Sequence, residues 1–220
     1  MNELKNNAFF DNIPIFLQLL FTKCDFPWQI VPIIKSYIKE LVSEGLDGYT
    51  TFGDDVLIGK GVRIHDGATI AGPCIIGDNS ELRPGAYIRG SAIICPSCVI
   101  GNSTEIKNSI LLEGVAAPHY NYIGDSILGA HSHLGAGVIC SNLKSDKSNV
   151  AIRYNGNTAD TGLRKLGAII GEGAEIGCGS VLNPGTVVGK NTTVYPLISL
   201  RGVYPSDSIV KSSNLTVSKI

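Results

Sequence analysis

Between Val56 and Ala116 a branched aliphatic residue recurs at every sixth position: Ile58, Ile64, Ile70, Ile76, Leu82, Ile88, Ile94, Ile100, Ile106 and Leu112. Two residues ahead of each stands a small or β-branched one, such as Val56, Ala68, Cys74, Ser80, Ala92, Cys98 or Thr104. A period of six matches neither the 3.6 of an amphipathic helix nor the alternation of a half-buried strand. It predicts a short strand and a corner, repeated, with each strand pairing to its equivalent one coil away at about 4.8 Å. The frame returns at Ile170, Ile176, Leu182, Val188, Val194 and Leu200.

Residues 1–50 read differently. Ile13 to Phe21 is a dense apolar run, and Ile30, Ile33, Ile34, Tyr37, Ile38 and Leu41 recur at helical spacing as far as Gly45, which predicts two helices. These helices either cap the open N-terminal end of the solenoid or offer a docking surface to another protein. From Ser141 to Leu166 the frame vanishes. Lys144, Lys147, Arg153, Arg164 and Lys165 stand there against Asp146 and Asp160, and Val150, Ile152 and Tyr154 alternate before Asn155-Gly156, a hairpin signal. The chain thus divides into a helical segment at 1–50, a β-helix at 51–210 with an arm inserted at 141–167, and a tail at 211–220 that frays or packs on a neighbour.

A net charge of −1, from 18 basic and 19 acidic residues, excludes a general attraction to nucleic acid or anionic membranes. No apolar run reaches the ~20 residues of a membrane span. The N-terminus, with Asn2, Glu3 and Lys5 ahead of a run broken by Pro14, lacks a signal-peptide pattern, so a cytoplasmic location is expected. Cys95-Pro96-Ser97-Cys98 has the spacing of a redox or zinc pair. The frame, however, turns Cys98 inward and Cys95 outward at a corner.

After Leu112 the next core slot falls on Pro118, and Ile123-Gly124, Leu128-Gly129 and Leu134-Gly135 have slipped register. A slip in a strict repeat costs packing and marks the place to look for function. Here the polar residues carry a resemblance. Leu82-Arg83-Pro84-Gly85-Ala86, Glu105-Ile106-Lys107, His119, Tyr122-Ile123-Gly124-Asp125, Gly135-Ala136-Gly137 and Cys140 to Asn142 resemble the acetyltransferase domain of the bifunctional N-acetylglucosamine-1-phosphate uridyltransferases. Asp160 to Ala168 is similar to a stretch of the sugar-1-phosphate nucleotidyltransferases that carry acetyltransferase tails. The resemblance implies a mainly β fold, a single-stranded left-handed parallel β-helix of hexapeptide repeats with a short N-terminal helical segment. Pro27-Trp28 resembles the linker that follows a nucleotidyltransferase domain in such chains, but no Gly-rich phosphate loop occurs in residues 1–55. No nucleotidyl transfer by this chain itself is expected.

The implied activity is an acyltransferase that moves acetyl from acetyl-CoA to an amino-sugar 1-phosphate, of glucosamine or galactosamine. An imidazole titrates near neutral pH and suits the removal of an ammonium proton, and His119 occupies the place of the catalytic base. Arg83 can grip a phosphate bidentately and Lys107 can add a point charge. Arg83, Gly101 and His119 are each 18 residues apart, one full coil, which predicts one shared edge about 10 Å long. By resemblance Tyr122 and Asn142 bond the sugar, His133 replaces a sugar-contacting Asn, and Lys147 (or Lys144) reaches substrate from an arm that crosses to a neighbouring subunit. Ala136, Cys178 and Pro196 form the acetyl-CoA strip, with Lys211 near the coenzyme phosphates. Proline lacks a backbone donor, a departure from the Ala of relatives. No metal is needed for this chemistry; His131 and His133 are a weak ligand pair without carboxylate or Cys partners. A homotrimer is expected, with a separate nucleotidyltransferase as a possible partner. Two other readings remain at this point: a non-catalytic β-helix scaffold partnering such an enzyme, and an acyltransferase for a different acceptor.

Overall fold

A computed structural model describes residues 1–219, and it winds residues 56–210 into a triangular left-handed β-helix. Its three parallel faces are termed here A, B and C in the order the chain visits them. Face A begins with Val56–Ile58, Cys74–Ile76 and Ala92–Ile94; face B with Arg63–Ile64, Glu81–Leu82 and Val99–Asn102; face C with Thr69–Ile70, Tyr87–Ile88 and Glu105–Lys107. The sixfold frame does what it predicts. The aliphatic residues from Ile76 to Ile106, and from Ile170 to Leu200, fill one interior core with the small residues Cys74, Ala92 and Cys98 beside them. Each fully buried aliphatic side chain contributes about 1.5–3 kcal/mol, and only stacking provides that burial.

The frame fails at one position, and the failure is informative. Leu111, not Leu112, points into the solenoid, pairing with Ile94 on face A, while Ile110 and Leu112 pack outside it. The corner between faces C and A is one residue short here, so strands beyond it pair 17 residues apart: Ile106 with Ile123, Ile110 with Ile127. A second short corner follows, as Leu128 pairs with Leu111. The slip therefore begins at Lys107-Asn108, before Leu112 rather than after it. Its consequence is that Gly101 stacks beneath Pro118, and His119 pairs with Asn102.

The helices α1 (Ile15–Thr22), α2 (Pro27–Ile30) and α3 (Ile34–Glu44, ended by Gly45 at φ +80°) do not cap the open end. They lie along face A, because that face alone turns a continuous aliphatic ladder outward: Leu57, Ile75, Ile93, Ile110, Ile127 and Ile169. Leu17, Leu20, Trp28, Ile34 and Ile38 cover it. Cys95 is buried under the same cover rather than exposed at a corner. The chain's first residues run on to the far coils, where Glu172 accepts the amides of Asp11 and Asn12 and Lys190 pairs with Asp11 at 2.5 Å. The first end of face A is closed instead by Thr50–Thr51, antiparallel to Val56–Ile58. At the other end Leu215–Ser218 folds back on Ser208–Ser212 as a hairpin rather than fraying; Ile220 lies outside the described residues. Among the described residues no helix is long and apolar enough to cross a membrane.

The arm is a hairpin, Ala151–Tyr154 against Asn157–Asp160, turning at Asn155-Gly156 with φ +46° and +75°. It folds onto its own chain instead of extending away. Val150, Ile152, Ala159 and Leu166 are buried in the cluster that covers face A.

Candidate active site

Two corners of the triangle collect the residues singled out above. The corner between faces B and C takes Arg83, His119, Ala136, Cys178, Pro196 and Lys211. Its backbone ladder runs from the Gly137 amide to the His119 carbonyl at 3.0 Å, from Gly179 to Ala136 at 2.8 Å and from Leu197 to Cys178 at 2.9 Å. His119, Ala136, Cys178 and Pro196 thus stack in one column, each on a separate coil. Lys211 follows Val210, whose carbonyl accepts the Tyr195 amide, and so ends the same edge. From the His119 coil to the Lys211 coil is four spacings, about 19 Å. Arg83 stands one column aside, above it Gly101 and Pro118 rather than His119. The expected shared register of Arg83 and His119 is corrected by the one-residue short corner, although the edge is still common to both.

Glycines keep that edge smooth. A Cβ on Gly135 would lie 2.7 Å from the Cys178 amide, and one on Gly177 would lie 2.5 Å from the Pro196 nitrogen. His119 itself is exposed, with no side-chain partner among the described residues. Its backbone is fixed from inside. Buried Asn121 accepts the His119 amide at 3.2 Å and donates to the Gly135 carbonyl at 2.8 Å, while Thr104 donates to the Ala117 carbonyl. An imidazole on a rigid corner with free ring nitrogens can take a proton from a bound amine. Arg83 is half-buried and reaches Glu81 at 3.5 Å. Burial works against ionisation of Glu81, yet the hydrogen bond from His65 and the guanidinia of Arg83 and Arg63 hold its carboxyl below the ordinary range. Arg83 therefore shares a carboxylate with Arg63 and the His65 ring and is not consumed by it.

The corner between faces C and A holds Lys107 and Asn142, with Tyr122 beside it on face C. The residue that unites them was not singled out from the sequence: Asp125, only 3% exposed. Its carboxylate accepts from Lys107 Nζ at 3.1 Å, from Asn108 at 2.7 Å and from the Asn142 amide, which also meets the Tyr122 hydroxyl at 3.2 Å. Burial, then the Asp125 charge, pushes the Tyr122 phenol up, so it stays protonated. Arg89 shares this edge, as its amide bonds the Ile106 carbonyl, and it pairs with Glu105 at 2.6 Å. Arg164 and Lys165 return past the cluster and line an open depression with Asn108 and Asp125. The sequence carried one signal for Asp125, its place in the Tyr122-Ile123-Gly124-Asp125 stretch of the resemblance; the structure sets it in the shortened corner at φ +50°. Replacing Asp125 by Ala leaves three donors without their acceptor. With Lys107 a quarter exposed, the expected loss is about 2–3 kcal/mol, or a thermal midpoint about 4–12 °C lower, read by circular dichroism against wild type.

The remaining residues lie apart from both corners. His133 projects from face B and pairs with Glu175 at 2.8 Å, and His131 sits at the corner between faces A and B at φ +58°, so the two do not converge as ligands. Lys147 is exposed in the turn that begins the arm, its amide bonded to the Lys144 carbonyl. Cys95 and Cys98 are free thiols on opposite sides of the face A strand that precedes them. Burial pushes Cys74, Cys98 and Cys140 up to about 12 and raises Cys95 well above the ordinary thiol range. Titration of the native protein with a disulfide reagent is expected to show one fast thiol, the exposed Cys178, with half-buried Cys24 slower and four thiols released only by denaturant.

The coiled fold just described defines a hexapeptide-repeat left-handed β-helix. Residues 70–155 match the GMPPB C-terminal domain family. Over 88 residues the chain is 35% identical to a bifunctional sugar-1-phosphate nucleotidylyltransferase/acetyltransferase of Sulfurisphaera tokodaii, covering 40% of this chain and 22% of that protein. It is 38% identical over 86 residues to the bifunctional protein GlmU of Methanococcus maripaludis, covering 39% and 21%. The matches to these relatives thus span about a fifth of their length. The uncharacterized acetyltransferase YaiX of Escherichia coli is 34% identical over 152 residues, 69% of this chain and 66% of YaiX. Among solved structures, the acetyltransferase domain of PglB from Neisseria gonorrhoeae in complex with acetyl coenzyme A aligns with 86% of this chain and 66% of its own at 18% identity and a TM-score of 0.39. The chain is a homologue of the acetyltransferase region of GlmU-type bifunctional proteins.

Proposed function

We propose that the chain transfers acetyl from acetyl-CoA to the amine of an amino-sugar 1-phosphate, with His119 as general base. The amine nitrogen attacks the thioester carbonyl, a C–N bond forms as the C–S bond breaks, and the imidazole takes the amine proton and passes it to the departing sulfur, so that coenzyme A leaves as the thiol and the imidazole is neutral again. The observation that carries this reading is the column of His119, Ala136, Cys178 and Pro196 on one exposed edge, a straight track ending at a free imidazole. Arg83 would hold the phosphate and Lys211 the coenzyme phosphates.

In one chain the sugar-facing residues Lys107, Tyr122 and Asn142 sit at a different corner from His119. Packing three triangular prisms about a threefold axis sets one corner of each against another corner of its neighbour. A homotrimer with its sites at the seams accounts for this division, and His133 and Lys147 would approach the same seam. A separate nucleotidyltransferase would supply the other half of the bifunctional relatives' chemistry. One observation favours a different acceptor for the same transfer: Asp125 already neutralises Lys107, so Arg83 is the main phosphate cation left. A panel of hexosamine 1-phosphates and free hexosamines, followed by thiol release from acetyl-CoA, decides between them. Turnover confined to unphosphorylated acceptors replaces the first reading with the second. No acceptor-dependent release from the trimer at all removes both.

A further inference from the structure

A second cationic groove lies at the C-terminal end of the corner between faces C and A, apart from the imidazole and from the Asp125 cluster. One wall is the arm, with Lys144 from its turn and Arg153 from its strand; the other is the last two coils, with Asn183 and Arg201. The groove encloses about 340 Å³. An adjoining depression of about 420 Å³ shares both arginines.

The arm is seated closely on this corner. A Cβ on Gly185 would lie 2.7 Å from Val150 Cγ1, and one on Gly202 would lie 3.1 Å from the Arg153 carbonyl, with Gly202 at φ +90°. Backbone packing thereby brings Arg153 and Arg201 to the lining of one groove. Lys144 is closed upon Asp146 at 3.5 Å, whose carboxylate Ser148 also bonds. Arg153 and Arg201 are exposed, and among the described residues neither side chain has a carboxylate within 4.0 Å or a hydrogen-bond partner. Two like charges on one groove repel, and in a chain of net charge −1 they are not part of a generally basic surface. Their geometry makes sense around an anion.

We infer that this groove binds a diphosphate ester, one phosphoryl group to each planar guanidinium. Nucleoside diphosphates and coenzyme A share that chemistry. The site also has a mechanical link to the Asp125 cluster further along the same corner, because the arm is rooted there: the Leu166 amide bonds the Asn142 carbonyl at 3.0 Å, and Leu143 bridges Lys165. A ligand that clamps the arm onto the coils holds Asn142 in place.

Isothermal titration calorimetry of the full chain at low salt, with sodium pyrophosphate, uridine diphosphate and coenzyme A in separate runs, tests the inference. One pyrophosphate per chain is expected, weakened about tenfold by R153A or R201A alone and lost in the double variant. R153K/R201K retains part of the affinity, and R153A and R201A keep the wild-type thermal midpoint because both side chains are exposed. Tighter binding of uridine diphosphate than of pyrophosphate assigns a nucleotide to the groove; coenzyme A, which the track at His119 would bind as well, is assigned to the groove only by the part of its affinity that the double variant loses. H119A binds pyrophosphate as wild type does, which separates this result from the fate of the acetyl-transfer reading. No heat with any of the three ligands, or equal affinity in the double variant, overturns the inference.

Discussion

His119→Ala is expected to lower kcat/KM for acetyl transfer about 10²- to 10⁴-fold, the usual contribution of a positioned acid–base group, while the thermal midpoint stays within about 2 °C of wild type. The combination follows from how the residue is held. Its side chain is exposed and supports nothing, whereas its backbone is bonded by Asn121 and by the amide of Gly137. Truncation at Cβ removes a proton acceptor and leaves the corner standing. Asn121→Ala should do the reverse. It removes a buried amide that bonds the Gly135 carbonyl, costing stability first and activity as a consequence of a displaced imidazole. Thiol release measured at saturating and at limiting acceptor, alongside melting curves, distinguishes the two patterns. If H119A keeps more than a third of wild-type turnover, the base lies elsewhere and the acetyl-CoA track described above ends at the wrong residue.

What could be read from the chain before its fold was known divides along physical lines. The coil and the inward set at Ile76, Leu82, Ile88 and Ile94 were legible because a solenoid repeats one local rule, and each repeat tests it again. Leu112 misled because Ile110, Leu111 and Leu112 are all aliphatic; with three apolar residues in a row, hydrophobicity alone cannot show that a corner has lost a residue. Register is a cumulative property, and one missing residue moves every later side chain. That is why Arg83 and His119, spaced by two nominal coils, share an edge but not a column. The helices were legible as helices, yet their place along face A depended on a second set of residues, Ile75, Ile93, Ile110 and Ile127. Those lie between the core positions and became meaningful only once their common outward face was known. Asp125 was hidden for a different reason. A buried carboxylate is defined by its partners, and here Lys107 and Asn108 come from the coil before Asp125 and Asn142 from the coil after it.

Gly101→Ala is the substitution expected to damage the molecule most. An added Cβ would lie 1.5 Å from the Pro118 carbonyl oxygen and 2.0 Å from its carbon. Those atoms are backbone, so no rotamer change relieves the overlap. The two coils must separate locally, straining the bonds that tie them, including Tyr120 N–H to the Asn102 carbonyl at 2.8 Å. A loss of more than about 4 kcal/mol is expected, which for a chain of this size lowers the midpoint by about 8–16 °C. Gly137→Ala is the matched comparison. It lies on the same edge at φ +73°, but its nearest heavy atom is 3.9 Å away, leaving only the left-handed backbone cost of about 1–2 kcal/mol. Urea unfolding of the pair therefore isolates coil contact from backbone conformation. Because Pro118 immediately precedes His119, the folded fraction of G101A should also lose acetyl transfer, whereas G137A should keep most of it. A G101A protein as stable as G137A would mean that Gly101 does not lie beneath Pro118. The one-residue short corner that sets the position of the imidazole would then be misplaced.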